Sequence, residues 1–194
     1  EIKGSVKNAV LKEQNGLEVT KFKTDFSYAQ QQAFLKNLYL ETPKTLIQEE
    51  IFLNFISQDA LTKDLGNVSI NANLPKSKIA FSDILLLAPT LKNVVPFNNF
   101  PNAILKFDTK LNGKINDLFI DKLAVSGLGN TIINANGRVK NALNPDKLWF
   151  DIKVNQFAST ATDVQKIIPK GTLPANISLP QNFDIKGSAK GSIN

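Results

Sequence analysis

The sequence predicts an all-β fold: an elongated, curved and mostly antiparallel repeat sheet carrying short helical insertions. Three observations lead there. Apolar and polar residues alternate with period two over long stretches, as half-buried strands require. Glycine, asparagine, aspartate and proline punctuate those stretches at short intervals, so most neighbouring strands join through tight turns and run antiparallel. The chain also repeats itself. Glu1-Ile2-Lys3-Gly4-Ser5-Val6-Lys7 returns as Asp184-Ile185-Lys186-Gly187-Ser188-Ala189-Lys190. Ser82-Asp83-Ile84 with Leu87, Ala88 and Pro89 is matched eighty positions later by Thr162-Asp163-Val164 with Ile167, Ile168 and Pro169. Such units bury their apolar faces by stacking on neighbours. The 194 residues are therefore expected to be a single section of a longer array, with approximate units 1–102 and 103–194.

In chain order, strands are expected at Leu17 to Tyr28, Ala33 to Thr42, Thr45 to Phe55 and Val68 to Leu74. A turn is placed at Gln30-Gln31-Gln32 although no glycine, proline or asparagine marks it. A short helix near Ser82 is expected, with Ser82 and Asp83 at its start and Pro89 at its end. From Ala103 the alternation is clearest: Ala103, Leu105, Phe107, Thr109, Leu111, Gly113 and Ile115 share one parity, against Lys106, Asp108, Lys110, Asn112 and Lys114. Asn116-Asp117 makes a turn, a strand runs from Leu118 to Ser126, and Gly127-Leu128-Gly129-Asn130 turns again. Thr131, Ile133, Ala135, Gly137 and Val139 then share a face. After the Asn144-Pro145-Asp146 turn, Leu148, Phe150, Ile152 and Val154 alternate against Trp149, Asp151, Lys153 and Asn155. A second short helix is expected with Thr162 as cap, Asp163 in its first turn and Pro169 as its stop. A proline-punctuated loop over 170–180 leads into a last strand with Phe183, Ile185, Gly187, Ala189, Gly191 and Ile193 on one side. The count is on the order of ten strands and two short helices.

Composition narrows the chemistry. A hydrophobic content of 42% over 194 residues suffices for a sizeable core. No run approaches the roughly 18 apolar residues of a membrane-spanning helix. There is no methionine, even at position 1, so the chain reads as a processed or excised segment, soluble in itself, with any signal or anchor outside it. Zero cysteines exclude disulfides and thiol chemistry. Zero histidines remove the usual imidazole ligand and the commonest general base. The formal charge of +6 permits attraction to anionic lipid or nucleic acid. Lysines such as Lys106, Lys110, Lys114, Lys122, Lys140, Lys153, Lys186 and Lys190 alternate with apolar residues, however, as on a solvated outer sheet face.

No constellation reads as an active site. Asp83 and Asp163 recur in register, and helix capping accounts for both. Glu49 and Glu50 are adjacent on a strand and point to opposite faces, so they do not form a carboxylate pair, and either one of them faces inward or the strand ends before them. Gly127-Leu128-Gly129 lacks the third glycine and the helix of a dinucleotide loop. Asn67-Val68-Ser69 and Asn176-Ile177-Ser178 match only the short glycosylation triplet. Trp149 and the phenylalanines lack the basic-aromatic clustering of a nucleic-acid platform, and most phenylalanines read as core. What remains is the apolar face, consumed by a second sheet in a closed sandwich and available as a groove in an open half-pipe.

A family resemblance bears on that choice. Phe107-Asp108-Thr109-Lys110-Leu111-Asn112-Gly113-Lys114-Ile115, the strand from Leu118 to Val125, the run from Gly129 to Gly137, the Trp149 strand and Ala161 to Pro169 together resemble the repeat of the TamB branch of AsmA-like proteins. Phe22 to Tyr28 and Leu38 to Thr42 fit the same pattern. The resemblance implies a periplasmic protein of a Gram-negative bacterium, tethered to the inner membrane by an anchor outside this segment. It implies an open half-pipe, a curved β-sheet with a taco-like groove whose apolar trough carries phospholipid toward the outer membrane, and an outer-membrane barrel partner of the assembly-factor type. It implies no enzyme activity, no cofactor and no nucleic acid. Carried onto the alternating positions, the trough lining is Phe107, Leu111, Ile115, Ile133, Phe150, Ile152, Val154, Phe183 and Ile185. Ten strands give roughly 50 Å of groove. Two other readings stand beside it: a scaffold that offers sheet edges to nascent outer-membrane proteins, and an adhesin or structural β-array with a filled core.

Overall fold

The computed structural model of the chain describes residues 1–169, 171, 176 and 178–192. Residues 170, 172–175 and 177 of the expected loop, and Ile193 of the expected last strand, lie outside them. The strands are β1 (Ile2–Lys12), β2 (Glu18–Tyr28), β3 (Gln32–Glu41), β4 (Leu46–Asn54) and β5 (Ser69–Ala80), followed by β6 (Ile104–Lys114), β7 (Asp117–Leu128), β8 (Thr131–Lys140), β9 (Trp149–Thr160) and β10 (Asn182–Ser192). The helices are α1 (Ala60–Lys63), α2 (Phe81–Leu87) and α3 (Ala161–Ile167). All ten strands belong to one sheet in sequence order, and every pairing is antiparallel. The sheet does not close, so β1 and β10 are free edges. The all-β repeat sheet with short helical insertions is thus the observed fold, and no second sheet lies over it among the described residues.

Every one of the nine pairings carries a register shift near mid-strand. A bulge opposes two residues to one, bends its strand and sharpens the local twist, and bulges recurring from strand to strand bend the whole sheet. Left-handed backbone marks several: Asn37 at φ 50°, Glu49 at φ 90° and Lys76 at φ 47°. The irregularity at Glu49 also removes the expected inward carboxylate, because Glu49 and Glu50 are both exposed. Gly137 shows why β8 needs glycine. Its φ is 147°, and a Cβ there would stand 2.2 Å from the Asp151 carbonyl oxygen on β9.

Helices α2 and α3 each start at the residue after a strand, eighty residues and four strands apart. Their caps differ from expectation. Thr160, not Thr162, accepts the Asp163 amide at 3.0 Å, because the helix opens two residues earlier than the aspartate pattern suggested. In α2 the cap position is Ala80, with no side-chain hydrogen bond, and Ser82 lies inside the helix. The third helix, α1, was not expected: four residues offer too little periodicity to read. It covers one end of the sheet, where Phe55, Ala60 and Val68 form a buried cluster against Ala33, Leu53, Leu61 and Ile115. The terminal recurrence falls on β1 and β10, the two free edges, and so does not share the four-strand period of the helices.

Candidate functional site

Cross-strand register sorts the side chains into two faces, since directly opposed residues share one. One unbroken row crosses all ten strands as Ile2, Tyr28, Ala33, Leu53, Ile70, Gly113, Leu118, Val139, Phe150 and Gly191. The next row on that face is Gly4, Phe26, Leu35, Ile51, Ala72, Leu111, Ile120, Gly137, Ile152 and Ala189. Neither row contains a charged residue. The opposite face reads Lys3, Ser27, Phe34, Phe52, Asn71, Asn112, Phe119, Arg138, Asp151 and Lys190. Three of the thirteen phenylalanines therefore lie on the polar face, with Phe34 and Phe52 stacked at 6.3 Å and Arg138 seated 4.5 Å over Phe119.

The residues assigned to the trough share the apolar face. Leu111 and Ile152 stand in one complete row and Phe150 in the other. Phe107, Ile133 and Ile185 share a further row with Val125 and Phe157, and Val154 pairs with Ala135. Phe183 lies toward the rim, opposite Ser159 and edge-on to Phe157 at 5.3 Å. Ile115 follows the end of β6 and packs into the Phe55 cluster at the other rim.

This face is not sealed. Phe107, Leu111, Phe150, Ile152 and Val154 are only half-buried, and Ile185 is 50% exposed. The accessible surface of the chain is 12105 Å², whereas a compact monomer of this mass exposes about 9,100 Å². The excess is that of a sheet with one apolar face left without a covering layer. An apolar hollow of about 450 Å³ lies over β1 to β4 and is lined mainly by Val6, Phe22, Phe26, Leu35, Ile51 and Leu53. None of these six was assigned to the trough, although the alternation of Phe22, Thr24, Phe26 and Tyr28 was visible in the sequence.

Two aspartates hold one rim. The Asp83 carboxylate accepts hydrogen bonds from Thr42 Oγ1 at 2.6 Å and Thr45 Oγ1 at 2.7 Å, in the β3–β4 turn. The Asp163 carboxylate accepts from the Asn130 backbone N–H at 2.9 Å, Asn130 Nδ2 at 3.1 Å and Thr160 Oγ1 at 2.9 Å. Each short helix is thereby latched to the hairpin beside the strand it follows, and the aspartates do more than cap. These hydrogen bonds, led by the Asn130 amide, hold the Asp163 carboxyl below the usual carboxylate range. Gly129 permits the approach, since a Cβ there would stand 2.2 Å from Asp163 Oδ1. Asn99 Nδ2 donates to the Lys166 carbonyl at 2.8 Å and ties the segment after α2 to α3.

Charge is concentrated on the polar face. Arg138 bonds Asp117 through two nitrogens at 2.6 Å and lowers its carboxyl pKa, while Lys122 meets Asp108 at 2.8 Å and Lys190 meets Asp151 at 2.9 Å. Tyr28 is the one residue of the two apolar rows with an ionisable side chain, and the other members are aliphatic, phenylalanine or glycine, so the rows present a continuous apolar surface. Across ten strands it is about 43 Å long. Among the described residues no helix is long and apolar enough to cross a membrane. No protein-family model matches the chain, and neither does any curated protein or solved structure.

Proposed function

We propose that the chain is a section of a conduit that carries phospholipid acyl chains along its apolar face, serving outer-membrane biogenesis. The observation that carries this reading is the pair of uncharged rows running unbroken across ten strands with no layer over them. Half a bilayer's hydrocarbon core is about 15 Å thick, so the face offers room for roughly three chain lengths in succession. Each methylene kept out of water is worth about 0.8 kcal/mol, and a continuous trough lowers the barrier to crossing an aqueous gap by on the order of 10 kcal/mol.

The proposal agrees with the resemblance to the TamB branch of AsmA-like proteins. A periplasmic place, an inner-membrane anchor elsewhere in the parent and an outer-membrane barrel partner of the assembly-factor type belong to it as proposals. The free edges also suit a second reading, a scaffold that pairs with nascent outer-membrane strands. Both edges are studded with lysines, Lys3, Lys7 and Lys12 on β1 and Lys186 and Lys190 on β10, and β1 carries a bulge between Val6 and Ala9. Those features discourage strand addition, so lipid passage is the better reading.

The test is lipid recovery from purified protein by native mass spectrometry and extraction, comparing the parent with a Phe150→Asp, Ile152→Asp variant whose fold is checked by circular dichroism. Phospholipid bound to the parent and absent from the folded variant is the expected result. A lipid-free parent that also takes up no fluorescent phospholipid refutes the proposal.

A further inference from the structure

On the polar face, β5 and β6 place Lys78 directly opposite Lys106. Like charges so opposed destabilise a sheet. Elsewhere on this face such crowding is relieved by acids, as where Lys122, opposite Lys110, pairs with Asp108. Among the described residues neither Lys78 nor Lys106 has an ion-pair partner. Lys76 joins them from the bulge between Leu74 and Ser77, its backbone held left-handed at φ 47°, and it is unpaired as well. Strain retained at a surface bulge marks a position where a side chain is re-aimed. The three lysines, together with Asp108, whose carboxylate is already held by Lys122, border a hollow of about 360 Å³ whose floor includes Ala124 and Ile132, the latter 42% exposed.

We propose that this hollow docks the protein on the surface of an anionic phospholipid bilayer. The ammonium groups take lipid phosphates, and the apolar floor meets glycerol carbons and the first methylenes. Lysine is suited to such a contact because it carries a point charge on a long apolar stem, which lies along an apolar surface while the head reaches phosphate. The hollow has no arginine fork, and its one aromatic, Phe107, belongs by register to the opposite face. It therefore lacks the stacking platform and bidentate contacts of a nucleic-acid surface. The inference does not rest on the acyl-chain reading, because the two sites lie on opposite faces of the sheet.

Vesicle co-sedimentation tests it, with phosphatidylglycerol-containing and pure phosphatidylcholine vesicles. The parent is compared with Lys76→Gln, Lys78→Gln, Lys106→Gln and with a charge-matched Lys7→Gln, Lys23→Gln, Lys153→Gln variant. The parent is expected to bind only the anionic vesicles and to be released when salt shortens the Debye length from about 10 Å to about 3 Å. Loss of the three hollow lysines weakens binding by roughly fivefold each, roughly 100-fold together, and the matched variant loses far less. The single Lys106→Gln variant, in an exposed position, gives the roughly fivefold step if the triple variant does not fold. Equal losses in the two triple variants overturn the proposal, as does a parent indifferent to phosphatidylglycerol. Tighter binding to a single-stranded oligonucleotide, or displacement by low inorganic phosphate, overturns it in favour of a nucleic-acid or free-anion site. Phe150→Asp, Ile152→Asp leaves this binding intact, so failure here is separable from failure of the trough.

Discussion

Replacing Asp163 with alanine removes the anion that joins α3 to the β7–β8 turn. Three donors converge on its Oδ2: the Asn130 amide at 2.9 Å, Asn130 Nδ2 at 3.1 Å and Thr160 Oγ1 at 2.9 Å. Hydrogen bonds to a charged acceptor contribute about 1.5–3 kcal/mol each, but three donors on one oxygen are not additive. Asn130 is exposed, so water replaces part of what its two donors lose. Asp163 itself is only 7% exposed, and its removal leaves Thr160 short of an acceptor at the start of α3. The expected net loss is about 3 kcal/mol, which for a chain of this size lowers Tm by roughly 6–12 °C. The pH dependence identifies the cause. The Asp163 pKa is lowered from its ordinary 3.8, so its contribution is fully present above that value and is lost as pH falls through the depressed folded value. Thermal melts at neutral pH should separate parent and variant, and the gap should close progressively below pH of about 4. An Asp163→Ala variant that melts with the parent at neutral pH, or a gap that persists unchanged in acid, refutes the latch.

Other substitutions probe the same framework. Thr45→Val keeps the shape of a side chain 4% exposed but deprives Asp83 of a donor and the Ala80 amide of its 3.0 Å acceptor, costing about 2–3 kcal/mol by denaturant titration. Gly137→Ala drives a Cβ against the Asp151 carbonyl and the Ile152 Cα from a backbone that side chains rarely adopt, and should cost about 2–5 kcal/mol, read as a shifted unfolding midpoint with unchanged slope.

The strands were legible because one face is apolar and the other wet, which writes a period of two into the sequence. From β6 onward the parity of Phe107, Leu111, Ile133, Phe150 and Ile152 matches the faces that register defines. Bulges were not legible. Those near Asp121 and Asn155 occur without glycine or proline in interior strands, where the extra residue is a polar side chain exposed to solvent and so disturbs no packing. Their effect is a shift of parity within one strand, and β9 uses it to place Val154 and Phe157 on the same face. The cap of α3 was misplaced because Thr160 and Thr162 are both suitable residues, and only the start of the helix distinguishes them. The hollow over β1 to β4 was overlooked for a different reason. Its residues are ordinary alternating apolar positions, and depth arises from the spacing of side chains across four strands, which no single strand encodes.

The central claim is that one face of this sheet accepts acyl chains and the other does not. The chain has no cysteine, so single-cysteine labelling has no background. Ile152→Cys places a polarity-sensitive fluorophore in a complete apolar row, and Lys153→Cys places it one residue along β9 on the opposite face. Titrating phospholipid should shift the emission of the label at 152 to the blue and leave the label at 153 unchanged. Equal responses at the two positions, or none at 152, would contradict the account.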